Sequence, residues 1–117
     1  MHTSATNELY ARWLTQARKG WLEFFLLLVL SGGRSYGYEI ATRLREATGA
    51  DLAEGTLYPL LKRLERDGLV AAQWDTETGT TPRKYYAITS GGAALLARMR
   101  DEWAAWNESV EQLGTKE

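Results

Sequence analysis

The chain has 117 residues, 44% hydrophobic and 25% charged, with 14 Lys+Arg against 15 Asp+Glu. That is the size of one domain and a globular composition, which argues against disorder. It contains no cysteine, which excludes disulfides and cysteine-based zinc or iron sites and fits a cytoplasmic protein.

The first residues, MHTSATNE, carry neither the basic group nor the apolar run of an export signal. Residues 1–8 are expected to form a flexible tail. A long helix is expected over 7–30, because Leu9, Trp13, Ala17, Trp21, Phe24 and Leu28 recur at spacings of 3 and 4. Gly20 weakens this helix by about 1 kcal/mol relative to alanine and marks a site for a bend. The run WLEFFLLLVL is shorter than the roughly 20 residues that span a bilayer, and it contains Glu23. It reads as a helix buried on most of its surface, with no membrane partner. Ser31-Gly32-Gly33 ends it.

A second helix is expected over 37–48, with Ile40, Leu44 and Ala47 facing inward and Gly49 as its stop. The third covers 54–67, with Pro59 in or near its first turn and Gly68 as its cap. The period then changes. Residues 70–75 (VAAQWD) and 84–89 (KYYAIT) are short and rich in β-formers, with TETGTTPR between them, as in a β-hairpin. Thr89 suits the N-cap of a last helix over 90–113, although Gly91 and Gly92 weaken its start. Residues 114–117 are left as a tail. The expected fold is mainly α with a two-stranded β-wing: a winged helix-turn-helix over 9–89 that includes the N-terminal helix, then a dimerisation helix over 90–113.

Leu57, Leu60, Leu61 and Leu64 give the third helix one apolar face. Its other side carries Tyr58, Lys62 and Arg66, with Pro59 and Arg63 beside them and Thr56 at the tip. Small polar and aromatic groups near a helix N-terminus suit base edges, and cations suit phosphates. The plainer alternative is a solvated face with Arg63 and Asp67 paired at i, i+4. The hairpin adds Arg83 and Lys84 where a wing would reach the DNA backbone. Residues 34–90 carry 8 basic and 8 acidic side chains, so the basic groups act through local potential rather than net charge. Residues 91–117 carry 3 basic and 5 acidic, which puts the acidity on the last helix.

The segments ARKGWLEFFLLLVLSGGRSYGYEIATRLRE, EGTLYPLLKRLERDGLV and PRKYYAITSGG together resemble the PadR family of bacterial transcriptional regulators. The match covers nearly the whole chain after about residue 17. The single short C-terminal helix resembles the smaller PadR subgroup, whose members are dimeric winged-helix repressors. The resemblance implies DNA contacts from Tyr38 in YGYE, from Thr56, Tyr58, Pro59, Lys62 and Arg63 in TLYPLLKR, and from Arg83 and Lys84 in the wing. The chain departs from the family at Ala53, where a serine N-cap is common, and in the looser Ser90-Gly91-Gly92.

In the last helix Leu96, Met99, Trp103, Trp106, Val110 and Leu113 form a seam of the a/d kind that packs on a partner helix. With Trp13 of the first helix they are the expected homodimer interface. Two reading helices would then lie about one DNA turn apart on a pseudo-palindromic operator. Some members of the smaller subgroup bind flat aromatic drugs between tryptophans of these helices. Trp103 and Trp106 are therefore candidates for binding a small planar aromatic effector, against the simpler role of dimer core. Trp21 is expected in the core, and Trp74 in hairpin packing.

The expected function is that of a homodimeric DNA-binding repressor on a pseudo-palindromic operator, with a small planar aromatic effector at the dimer interface as a candidate for releasing it. The alternative is a winged-helix protein-interaction module without DNA binding. Its mark would be a basic face broken up by Glu54, Asp75 or Glu77. No catalytic set, cofactor motif or metal-ligand cluster stands out, and the only histidine is His2.

Overall fold

The apolar run of the first helix forms the centre of the structure. The computed structural model describes residues 3–49, 51–76 and 81–114. The first helix, α1, runs Thr3–Ser31 without a break at Gly20. Leu26, Leu27 and Leu30 are completely buried or nearly so, and Phe24 and Val29 join them in the core. Each such leucine contributes about 1.5–3 kcal/mol by leaving water. Residues 3–8, expected as a tail, are helical. TSATNE holds no glycine or proline to stop a helix from extending backwards. Met1 and His2 lie outside the described residues, as do residues 115–117 of the expected C-terminal tail.

A short strand, β1 (Ser35–Tyr36), leads into α2 (Gly37–Thr48). The Glu39 carboxylate accepts the Tyr36 backbone N–H at 3.3 Å and so closes the start of α2. Gly49 ends it in the left-handed conformation, donating its N–H to the Arg45 carbonyl. Ile40 and Leu44 are buried as expected, but Ala47 is exposed. Ala47 instead borders an open groove with Tyr10, Leu14, Trp21 and Phe25 of α1, which leaves it uncovered.

The third helix, α3 (Glu54–Arg66), buries Leu57, Leu61 and Leu64, with Leu60 half-buried. Ala53 supplies no side-chain cap, as the sequence implies. Pro59 is the sixth residue of the helix rather than a first-turn residue, so it has no N–H to give the Gly55 carbonyl.

The wing strands are β2 (Val70–Asp75) and β3 (Arg83–Ile88). The sheet has three strands rather than the expected two, in the order β1-β3-β2 and antiparallel throughout. Two residues, Ser35 and Tyr36, pair with Tyr86 and Tyr85. A strand of that length has no periodicity to recognise. The register sets Trp74 opposite Lys84 and Asp75 opposite Arg83. Alternation therefore places Ala72, Trp74, Lys84 and Tyr86 on one face, and Gln73, Asp75, Arg83 and Tyr85 on the other. The wing tip, with Glu77 and Thr80, lies outside the described residues.

The last helix, α4 (Ser90–Gly114), starts as expected from Thr89. The Thr89 hydroxyl accepts the Gly92 N–H at 3.0 Å and donates to the Gly68 carbonyl at 2.6 Å, which ties α4 to the end of α3. Gly92 is a requirement and not a weakness. A Cβ there would collide with the Leu69 carbonyl oxygen and lie 2.8 Å from Ile88 Cγ1. The seam on α4 divides. Leu96 is 4% exposed in the chain's own core, with Met99 and Trp103 half-buried against it. Trp103 packs on Trp21, Phe24 and Phe25 of α1, at centroid distances of 5.7–6.3 Å. Leu96 is thus a core residue of the chain itself and not an interface residue, since the first half of α4 packs on α1 and β3. Trp106, Val110 and Leu113 remain exposed. The long helices extend the molecule to 59 × 33 × 22 Å, with a radius of gyration of 17.2 Å. A compact domain of this length would have about 13 Å.

Gly92→Ala should cost about 1–3 kcal/mol in urea unfolding, because backbone blocks the added methyl. Burial, then the negative charge of Glu65, pushes the Tyr86 hydroxyl above its usual pKa of 10.0. The folded state disfavours its ionised form. The stability it protects is complete below about pH 10 and lost as pH rises through the raised value. Tyr86→Phe should therefore flatten the alkaline limb of a Tm-against-pH curve.

Candidate nucleic-acid interface

On α3 the leucines face the core, so Thr56, Pro59, Lys62 and Arg66 are left exposed. Tyr58 sits at one flank of this face, 43% exposed, and its position depends on a glycine. A Cβ at Gly37 would lie 2.5 Å from the Tyr58 hydroxyl oxygen and 3.0 Å from two ring carbons. The glycine of YGYE therefore gives the Tyr58 ring its seat on the first turn of α2. Tyr38, the next residue, is 71% exposed.

A groove of about 420 Å³ runs between this corner and the wing, lined by Tyr36, Gly37, Tyr38, Tyr58, Trp74, Pro82, Arg83, Lys84 and Tyr86. It joins four residues that the sequence analysis took from three separate segments: Tyr38, Tyr58, Arg83 and Lys84. The Arg83 guanidinium lies over the Tyr36 ring, 4.5 Å from its centre. Lys84 Nζ is 5.7 Å from the Tyr86 ring centre. Aromatic faces hold both cations without neutralising them, so their charge stays available to an anion. Tyr36 in turn meets Tyr85 edge-on at 5.4 Å.

Acidic neighbours are handled locally. Asp75 is bridged by Arg34 at 3.5 Å, and Arg34 also lies over the Tyr85 ring at 4.3 Å. The side chain of Glu54 and the whole of Glu77 fall outside the described residues.

Arg63 departs from expectation. Its Nη2 donates to Glu23 Oε1 of α1 at 3.1 Å, with the Glu23 side chain only 23% exposed. It reaches across to α1 rather than lining the groove, and it does not pair with Asp67 as an i, i+4 neighbour would. The pairing also accounts for a carboxylate inside an otherwise apolar run.

Sequence reasoning missed Tyr36, Gly37 and Trp74. Trp74 is 61% exposed and borders the groove, so it is not packed within the hairpin as expected. Its alternation with the buried Val70 pointed inward, so no local signal marked it as a groove residue.

Of the proposed interface and effector residues, Trp13 is 56% exposed, stacks on Tyr10 and meets Trp21 edge-on, all on α1. Trp103 and Trp106 line a small pocket of about 120 Å³ with Trp21, Phe24, Met99 and Glu102. Among the described residues no cluster could hold a metal ion, and no helix is long and apolar enough to cross a membrane.

The sequence pattern described as the Transcriptional regulator PadR-like family matches residues 26–98. A transcriptional regulator of Mycobacterium tuberculosis is 32% identical over 100 residues, covering 86% of this chain and 68% of its own. The crystal structure of a PadR family transcriptional regulator from Eggerthella lenta superposes with a TM-score of 0.80 at 32% identity, covering 98% of this chain and 100% of the other. A PadR-like transcriptional regulator from Bacillus cereus gives the same TM-score and identity, covering 87% and 99%. With the winged-helix architecture, these similarities establish that the chain belongs to the PadR-like family of transcriptional regulators.

Proposed function

We propose that the protein is a homodimeric repressor that binds a pseudo-palindromic DNA operator through α3 and the wing. The observation that carries this reading is the groove in which Tyr38 and Tyr58 meet Arg83 and Lys84, beside the exposed Thr56, Pro59 and Lys62. The exposed face of α3 would enter the major groove, with Thr56, Tyr58 and Pro59 nearest the base edges. Lys62, Arg83 and Lys84 would contact phosphates and set the register. Arg63 is better read as a tie to α1 than as a DNA contact, given its bond to Glu23.

Homodimerisation is supported by the apolar surface left on the projecting helices. Leu9, Tyr10 and Trp13 on α1, and Trp106, Val110 and Leu113 on α4, are all more than half exposed. A patch of this kind marks an interaction surface, and a twofold pair would cover both sets at once. The pocket at Trp103 and Trp106 is too small alone for a ligand site, which needs about 300 Å³ or more. A second copy would enlarge it enough to admit a planar aromatic effector. Filling it would shift the spacing of the two reading heads and release the operator.

Selection of bound duplexes from a random pool should recover an inverted repeat with half-sites about one helical turn apart. Failure to retain any duplex at low salt would overturn the DNA reading. Arg83→Ala should weaken binding to all sequences about equally, and lower the slope of log affinity against log salt by about 1 per half-site. In sedimentation equilibrium, Trp106→Ala combined with Val110→Ala should shift the dimer toward monomer, while urea unfolding of the monomer changes little.

A further inference from the structure

The large apolar side chains left exposed among the described residues fall into three groups. Leu9, Tyr10, Trp13, Trp106, Val110 and Leu113 lie on α1 and α4, where a second copy would cover them. Tyr38 and Tyr58 belong to the proposed reading edge. Trp74, on β2, belongs to neither group, and a wing strand has no need of an indole that it does not pack. We infer that Trp74 is itself a DNA contact, its indole packing on the deoxyribose beside the phosphate that Lys84 neutralises. The inference rests on the DNA-binding reading above and deepens it.

Three observations carry it. Trp74 and its cross-strand partner Lys84 emerge on the same face of the wing, so an apolar plate and an ammonium stand side by side. That face borders the groove shared with Tyr38, Tyr58, Pro82 and Arg83, and not the α1 or α4 surface. The neighbouring carboxylate of Asp75 lies on the other face of the strand and is bridged by Arg34, so it does not repel an incoming phosphate chain at the indole. A nucleic-acid backbone alternates charged phosphates with apolar sugar faces, which is the alternation this surface offers. An apolar protein partner would match the indole but strand the Lys84 ammonium beside it.

The chemistry separates this contact from an electrostatic one. A sugar contact releases no counterion, so its loss lowers affinity without changing salt dependence, whereas loss of a phosphate contact lowers both. With the duplex recovered by selection, anisotropy titrations over a salt series would compare the wild type, Trp74→Ala, Trp74→Phe and Arg83→Ala. We expect Trp74→Ala to bind about tenfold more weakly at every salt concentration with the wild-type slope. Trp74→Phe should keep most of the affinity, and Arg83→Ala should lose slope. Wild-type affinity in Trp74→Ala would overturn the inference. So would weakened binding accompanied by a reduced slope, since the indole would then only position Lys84. Trp74→Thr, which keeps strand propensity, serves as a second variant, with thermal melts checking that each variant folds. If the wild type binds no duplex, the DNA reading itself falls and takes the inference with it. If it binds and Trp74→Ala binds equally well, only the inference falls.

Discussion

The burial of Leu26, Leu27 and Leu30 sets the terms for the rest of the molecule. These residues occupy consecutive turns of α1, and α2, β3 and α4 all pack on that helix. A helix buried on most sides for half its length cannot shift without opening the core. The other half, with Trp13 and Tyr10, projects beyond the core, and Trp103 holds α4 beside α1 by edge-on and tilted contacts with Trp21, Phe24 and Phe25. The same helix also ties down α3, because Glu23 takes Arg63. With the Arg63 side chain 43% exposed, the pair contributes little to stability, and its effect is to orient the arginine toward α1.

Close approach does at the groove what burial does in the core. Tyr58 rests on the first turn of α2 only because position 37 has no side chain, and α4 leaves the wing only because position 92 has none. The sheet then brings the cations in. Pairing of Tyr36 with Tyr85 fixes β3 against the start of α2, and Arg83 settles over the Tyr36 ring. The groove is thus assembled from three segments held by backbone contacts, with its polar groups supported by aromatic rings.

Much of this was legible in the sequence, for physical reasons that also mark the limits. The 3.6-residue period located four helices, the change to short β-rich segments located the wing, and Thr89 was found because a capping hydroxyl acts on its own neighbours. The partner of Arg63 was not legible, since Glu23 lies 40 residues away and local charge pairing suggested Asp67. Periodicity shows that α4 has an apolar seam but not what covers each part, so it points Leu96 to an interface although the chain's own core buries it. β1 has two residues and no pattern to read. The need for Gly92 was hidden because glycine at a helix start reads as weakness unless the approaching backbone is known. Exposure of Trp74 was hidden for the same reason: a strand residue can face a packed layer or an open groove with the same alternation.

The division of labour on α3 has an evolutionary consequence. Arg63 is tied to α1 and the leucines to the core, so changing them disturbs how the helix is seated. Thr56, Pro59 and Lys62 are exposed and hold nothing in place, so most substitutions there cost at most about 0.5 kcal/mol of stability. Under the proposed reading, the preferred operator can drift by changes at these few positions while the docking pose stays constant. Relatives with this architecture can therefore diverge in the sites they recognise without first having to rebuild the domain that carries the recognition.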